Sequence, residues 1–153
     1  TTPLAADPDL FYRVAILPPP PLLANDFENG ADGWTATTAA GDTMWELGTP
    51  NAGGLTTAAS GTSAWGTAIA GDYGPGTVAS LQSPVVDLAG VVRPELFTRQ
   101  EIFSGQTDTW TPFVLTLPRE IRDQKIVVEF RFLSDGDGDV GAGWYIDDVV
   151  IDR

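Results

Sequence analysis

The chain has 153 residues, enough for one domain with a hydrophobic core. Hydrophobic residues make up 42% and charged residues 19%, and no apolar run is long enough for a membrane helix, which indicates a soluble globular domain. Eight basic against 21 acidic residues give a net charge of −13, which excludes a phosphate-binding nucleic-acid surface, and the absence of Cys and His excludes thiol and imidazole catalysis and classical zinc sites.

Residues 1–24 differ from the rest and are predicted to form an extended arm or linker. An apolar, strand-like run at 11–17 precedes a proline run at 18–21, which favours a stiff extended segment. The segment is either a linker from a preceding module or an arm that adds a strand to a neighbouring subunit, and a docked arm could pair with its own domain or with another. The arm side chains that need burial are Phe11, Val14 and Ile16.

Residues 25–153 predict an antiparallel jelly-roll β-sandwich. No long helix is visible, and 17 Gly and 12 Pro divide the chain into short alternating segments. The clearest strand spans 125–133, where Ile126, Val128, Phe130 and Phe132 alternate with polar residues. Further strands are predicted at 81–88, 95–103, 113–117 and 144–151, and at least seven are expected in all.

Acidic residues cluster near both ends of this predicted sandwich. In the last strand, simple alternation predicts that Trp144, Ile146, Asp148 and Val150 share one face, with Asp147 among the residues of the other. At least one carboxylate therefore enters a buried layer and needs a cation, backbone N–H donors or a raised pKa. Because Lys and Arg are scarce, calcium is the favoured partner. The candidate ligands are Asp26, Glu28, Asp135, Asp137, Asp139, Asp147 and Asp148.

Two readings without a metal remain open for these residues. Asp135, Asp137 and Asp139 could form a solvated hairpin tip, and Glu28 with Asp147 or Asp148 could be capped by N–H groups alone.

Three groups of motifs follow one another along the chain. They are Asp26-Phe27-Glu28-Asn29-Gly30, then Ala64-Trp65-Gly66-Thr67 with Ser83-Pro84-Val85-Val86-Asp87-Leu88, and finally Gly143-Trp144-Tyr145-Ile146-Asp147-Asp148-Val149. Taken in this order, the motifs resemble the MAM-like jelly-roll modules of bacterial secreted and cell-surface proteins, which accompany extracellular peptidases such as immune inhibitor A. The resemblance covers about residues 25–153 and implies a structural calcium held by Glu28 and by Asp147 or Asp148. It also implies a secreted or cell-surface location.

The stretch between the Ser-Pro-Val-Val-Asp-Leu motif and the strand around Phe113 is shorter than is usual in those modules. A shortened sheet would expose an edge, which favours strand exchange with a partner. Because the chain begins at Thr1 rather than Met, we expect a mature secreted form or an excerpt of a longer protein.

The leading functional hypothesis is a non-catalytic extracellular module for adhesion or structural assembly, in contact with neighbouring domains or like subunits. One alternative is a filament or sheath subunit joined by strand donation from residues 11–17. Another is a carbohydrate-binding module that stacks glycans on Trp45 and Trp110, since Trp34, Trp65 and Trp144 are expected in the core. A glycosidase would need a carboxylate pair, for which Glu28, Glu46 and Asp72 could be nominated, although any acidic sequence allows such nominations. Neither nucleic acid nor membrane insertion is expected.

Overall fold

The computed structural model describes residues 17–92, 94–100 and 109–153, with the backbone alone at 97–100. Its described residues form eleven β-strands and a short 3-10 helix at Arg119–Ile121. The strands are β1 (Leu23–Asn25), β2 (Thr35–Ala40), β3 (Trp45–Gly48), β4 (Ala64–Thr67), β5 (Val78–Gln82), β6 (Val86–Asp87), β7 (Glu95–Gln100), β8 (Thr111–Thr116), β9 (Lys125–Ile126), β10 (Glu129–Leu133) and β11 (Tyr145–Asp152).

Antiparallel sheets built from these strands confirm the all-β prediction. One sheet has the order β3-β4-β11-β7-β8, with β1 also paired to β11, and a second has the order β10-β5-β2. A two-stranded ribbon joins β6 to β9. No helix within the described residues is long and apolar enough to cross a membrane.

The hydrophobic core lies between the two larger sheets and is rich in aromatic side chains. Phe130, on β10, packs against Trp144 at a ring-centroid distance of 5.8 Å and stacks on Trp34 at 5.9 Å. Phe27 contacts Trp34 edge to face at 5.7 Å. Trp34, Trp65 and Trp144 are buried, as expected from their motifs. These contacts join the first and last strands to the second sheet.

The segment predicted as a single strand at 125–133 is divided into β9 and β10, which belong to different sheets. Its alternation is nevertheless correct, because Phe130 is buried in the core and Ile126, Val128 and Phe132 pack against it. At the break, the hydroxyl of Ser83 accepts the Val128 N–H at 2.9 Å and donates to the Pro84 carbonyl at 2.8 Å. A side chain thus completes backbone pairing where the ladder is interrupted.

The last strand contains a β-bulge that alternation in the sequence did not predict. The register of β11 against β7 shifts between Asp147 and Val150, and Asp148 has a φ of +50°. The extra residue reverses the phase of the strand. Ile146, Val149 and Ile151 therefore face the core together, so the prediction that Asp148 and Val150 share the face of Ile146 is wrong.

The sandwich begins earlier than residue 25. The Leu22 N–H donates to the Ile151 carbonyl at 2.8 Å, and β1 pairs with β11 from Leu23 onward. The expected boundary between arm and domain therefore falls inside the sheet. Residues 17–21 are exposed, whereas Phe11, Val14 and Ile16 lie outside the described residues.

We predict that Ser83→Ala lowers the free energy of unfolding by about 1–2 kcal/mol, because the Val128 N–H loses its acceptor in a partly buried position. Urea unfolding followed by tryptophan fluorescence measures the change. Ser80→Ala, on β5 just before Ser83, is the matched control and should cost clearly less. Equal losses in the two variants would contradict a specific role for the Ser83 hydroxyl.

Candidate functional site

Side chains from both ends of the chain converge on the loop of residues 57–63, which precedes β4. The loop carries no charged residue, yet the backbone N–H groups of Ala59, Ser60, Thr62 and Ser63 all donate to carboxylates. These carboxylates belong to Glu28, just after β1, and to Asp147, on β11. The antiparallel pairing of β1 with β11, with Asn25 opposite Val149, explains why both reach the same loop.

Glu28 holds the second half of the loop. Its Oε1 accepts the N–H groups of Thr62 and Ser63 at 2.8 and 2.7 Å, and its Oε2 accepts the Thr62 hydroxyl at 3.0 Å. The two N–H groups hold the pKa of Glu28 below its ordinary value. Gly61 has a φ of +58°, and a Cβ there would lie 2.3 Å from the Glu28 Cδ, so only glycine lets the loop approach this closely.

Asp147 holds the first half and is 0% exposed. Its Oδ2 accepts the N–H groups of Ala59 and Ser60 at 2.8 and 3.2 Å, and its Oδ1 accepts the Asp148 N–H at 2.8 Å. Burial raises the pKa of Asp147 to about 6, although the N–H donors oppose the rise. The sequence prediction of a buried carboxylate in the last strand is therefore confirmed for Asp147.

Two further side chains fix the same loop. The Ser60 hydroxyl donates to Oδ1 of Asp148 at 2.7 Å, a contact made from the bulge of β11. The indole N–H of Trp110 donates to the Thr57 carbonyl at 3.0 Å. The loop is thus fixed from four directions, by the first strand, the last strand, its bulge and the segment before β8.

The donor set suits calcium in its chemistry, since Glu28, Asp147 and Asp148 offer only oxygen ligands. Their arrangement does not leave these oxygens available for a metal, because they accept hydrogen bonds from N–H and O–H groups of the loop and from the Asp148 N–H. Within the described ranges, no three or more acidic side chains are grouped as a metal site would require. The geometry therefore matches the N–H capping alternative, and a calcium ion would have to exchange with some of these donors.

The other acidic candidates lie apart from the loop contacts. Asp26 is exposed and its Oδ1 accepts the Glu28 N–H at 3.2 Å, which orients the turn after β1. Asp135, Asp137 and Asp139 are exposed on the loop after β10. Hydrogen bonding to Asp137 raises the pKa of Asp135, and the Asp139 N–H, above all, lowers the pKa of Asp137. This geometry resembles the solvated-tip alternative.

The two tryptophans nominated for ligand binding have structural contacts. Trp45 is 2% exposed and packs against Trp144 at 5.4 Å, so its ring is not offered to a ligand, which corrects the expectation for this residue. It is buried because β3 pairs with β4 at the end of the main sheet and turns this side chain inward. Trp110 is half-buried and uses its N–H in the 57–63 loop. Of the two nominated tryptophans, only Trp110 could then stack against a glycan.

Glu46 and Asp72, nominated above for glycoside hydrolysis, line an open cleft of about 400 Å³ together with Asp42. Oε2 of Glu46 accepts the Ile69 N–H at 3.0 Å. Glu28 is not among the residues that line this cleft, so the three nominated carboxylates do not form a single site.

Sequence reasoning missed the 57–63 loop because its residues are small and uncharged. The one available signal was compositional: a run of Ser, Thr, Ala and Gly directly before a buried strand supplies close backbone N–H groups that can satisfy a carboxylate.

The fold and this loop define an all-β sandwich in which the first and last strands pair directly, and carboxylates from both ends of the chain hold the same loop. No family model matches the chain. The chain is similar to Bacillopeptidase F of Bacillus subtilis (strain 168), with 31% identity over 152 aligned residues that cover 82% of this chain and 10% of that protein. It therefore spans about a tenth of the length of the curated relative it matches.

We predict that the stability of the metal-free protein depends on pH through Asp147. Folded Asp147 keeps its proton up to a pH of about 6, whereas its ordinary pKa is 3.8. The folded state therefore binds more protons between these values, and the contribution of Asp147 to the free energy of unfolding falls as pH rises through this window, by at most about 3 kcal/mol.

Chemical unfolding of the wild type and of Asp147→Asn in EDTA, from about pH 4 to about pH 7, tests this pH dependence. The stability advantage of the wild type over the variant should shrink as pH rises. Asp152→Asn removes one exposed negative charge from the same strand and is the control. A wild-type advantage that stays constant or grows with pH would contradict a raised pKa for Asp147.

Proposed function

We propose that this chain is a non-catalytic module of a larger extracellular protein, used for adhesion or structural assembly and stabilised by calcium at the 57–63 loop. The observation that carries the proposal is the convergence of Glu28 and Asp147 on one loop, which joins the two ends of the sandwich. Such an arrangement makes a self-contained unit that can be inserted into a longer chain.

Two points support an extracellular module. The motifs at 26–30, 64–67 and 143–149 resemble modules that accompany extracellular peptidases. The chain is also similar to a segment that makes up 10% of Bacillopeptidase F, a protein whose name is that of a peptidase. A match of this extent fits an accessory segment of a larger protein.

The chemistry of the side chains supports a role without catalysis. The sequence has no His and no Cys, so a hydrolase would depend on carboxylates. Asp147 accepts backbone N–H groups with both of its oxygens, and Glu28 accepts two backbone N–H groups with Oε1 and the Thr62 hydroxyl with Oε2, which holds both carboxylates in structural contacts. We expect no turnover of peptides or glycans by the purified chain.

Glu28, Asp147 and Asp148 would be the ligands of the proposed calcium ion, which would have to displace some of the loop donors and draw these carboxylates together. In addition to burial, the negative charge of Asp148 raises the pKa of Asp147, so the two carboxylates repel each other, and a divalent cation would offset this repulsion in a chain with a net charge of −13. The ion would supply charge neutralisation and would tie the first and last strands to the loop; it has no chemical step to perform.

We predict that calcium raises the melting temperature at concentrations well below those needed for charge screening, and that magnesium does so much less at equal ionic strength. Differential scanning calorimetry of the EDTA-treated chain measures the shift. Glu28→Gln removes a proposed ligand and should abolish most of it, whereas Glu129→Gln, an exposed residue on β10, should retain it.

Equal effects of calcium and magnesium, or an undiminished shift in Glu28→Gln, would show that the cations act by screening and would remove calcium from the proposal. Hydrolysis of peptides or glycans by the wild type, lost in Glu46→Gln or Asp72→Asn, would overturn the non-catalytic role itself. The two failures are therefore distinguishable.

A further inference from the structure

Strand β8 forms an open edge of the main sheet. It pairs with β7 on one side and is the terminal strand of that sheet in the described structure. All six residues of β8 are exposed, including Phe113 (37%), Val114 (56%) and Leu115 (44%). The strand thus presents apolar side chains on both faces and has no charged residue. Exposed edges of this kind pair readily with another strand.

The free hydrogen-bonding groups of this edge follow from Pro112. A proline has no N–H, so in a regular ladder Pro112 does not belong to a hydrogen-bonded pair with its partner Arg99. Val114 and Thr116 lie two and four residues further along the strand and therefore also occupy pairs without hydrogen bonds to β7. Their N–H groups consequently point away from β7. The outer edge therefore offers two donors, together with the carbonyls of residues 112, 114 and 116.

The chain's own N-terminal segment matches this edge in length and chemistry. Residues 11–17 read Phe-Tyr-Arg-Val-Ala-Ile-Leu, a strand-like sequence of seven residues against the six of β8. Its single charge is positive, whereas residues 25–153 have 19 acidic and 7 basic residues and a net charge of −12. Leu17 is 80% exposed and Pro18–Pro21 are exposed, so the described part of the segment does not pack on its own domain.

Geometry favours the edge of a second copy over the chain's own edge. A strand added beyond β8 lies four strand spacings from β1, or about 19 Å, whereas residues 17–22 span about 16 Å in an extended polyproline conformation. Residue 17 also lies at the end of the sheet towards which β8 runs, so pairing in cis would be parallel. The β8 edge of a second copy can be reached in an antiparallel orientation, because the segment then does not have to cross its own sheet.

We infer that residues 11–17 of one copy pair antiparallel with the outer edge of β8 of a second copy. The contact adds a strand to the acceptor sheet and brings apolar side chains beside Phe113, Val114 and Leu115. Donor segment and acceptor edge are different surfaces, so the contact is heterologous and each copy can both give and receive a strand. The expected product is an open, head-to-tail chain of copies. This inference does not depend on calcium.

Sedimentation velocity of the full chain in EDTA, over increasing concentration, tests the contact. We expect the wild type to form species larger than a dimer. Val14→Asp/Ile16→Asp damages the donor, and Val114→Pro removes an outward N–H from the acceptor, so each variant alone should be monomeric. Val114→Lys keeps the backbone and serves as a second edge variant if Val114→Pro does not fold. Leu133→Asp changes an exposed apolar residue on β10 and should still assemble.

Mixing the two types of variant gives the decisive result. The donor variant retains an intact edge and the edge variant retains an intact segment, so an equimolar mixture should form heterodimers and nothing larger. A wild type that stays monomeric at its solubility limit would overturn the inference. Assembly that persists in the donor variant, or a mixture that forms no heterodimer, would do the same.

Discussion

The structure depends on the burial of one carboxylate in the middle of its last strand. A carboxylate without partners in an apolar layer destabilises a protein by several kcal/mol, so Asp147 must be supplied with hydrogen-bond donors. The 57–63 loop supplies them through the N–H groups of Ala59 and Ser60. This need fixes the position of the loop, and Glu28 then fixes its second half from the opposite end of the chain.

The bulge at Asp148 and the loop are parts of the same arrangement. By reversing the phase of β11, the bulge lets Ile146, Val149 and Ile151 all face the core and leaves Asp147 on the face that the loop covers. Aspartate tolerates the left-handed backbone conformation better than a β-branched residue would, and its side chain here accepts the Ser60 hydroxyl. A Val or Ile at this position would lose both properties.

Alternation in the sequence was sufficient to locate β8, β10 and β11, but the burial that it predicts is found along β10 and not along β8, whose six residues are all exposed. It could not locate the bulge in β11 or the division between β9 and β10, since both depend on which strands lie alongside. It identified Asp147 because a carboxylate within an apolar strand is conspicuous, and Glu28 because it lies in an acidic motif near the start of the sandwich. It missed the 57–63 loop because almost every residue has a backbone N–H group, so the small-residue composition of the loop was only a weak signal. It also expected Trp45 at the surface, although β3 turns this residue inward.

The central claim is that the 57–63 loop is held by Glu28 and Asp147 rather than lying free on the surface. Amide hydrogen exchange, measured by NMR on the metal-free chain, tests it most directly. If the account is correct, the N–H groups of Ala59, Ser60, Thr62 and Ser63 exchange slowly, while that of the exposed Gly61 exchanges fast, and Glu28→Gln speeds exchange at residues 62 and 63 more than at 59 and 60. Uniformly rapid exchange of all five amides in the wild type would contradict it.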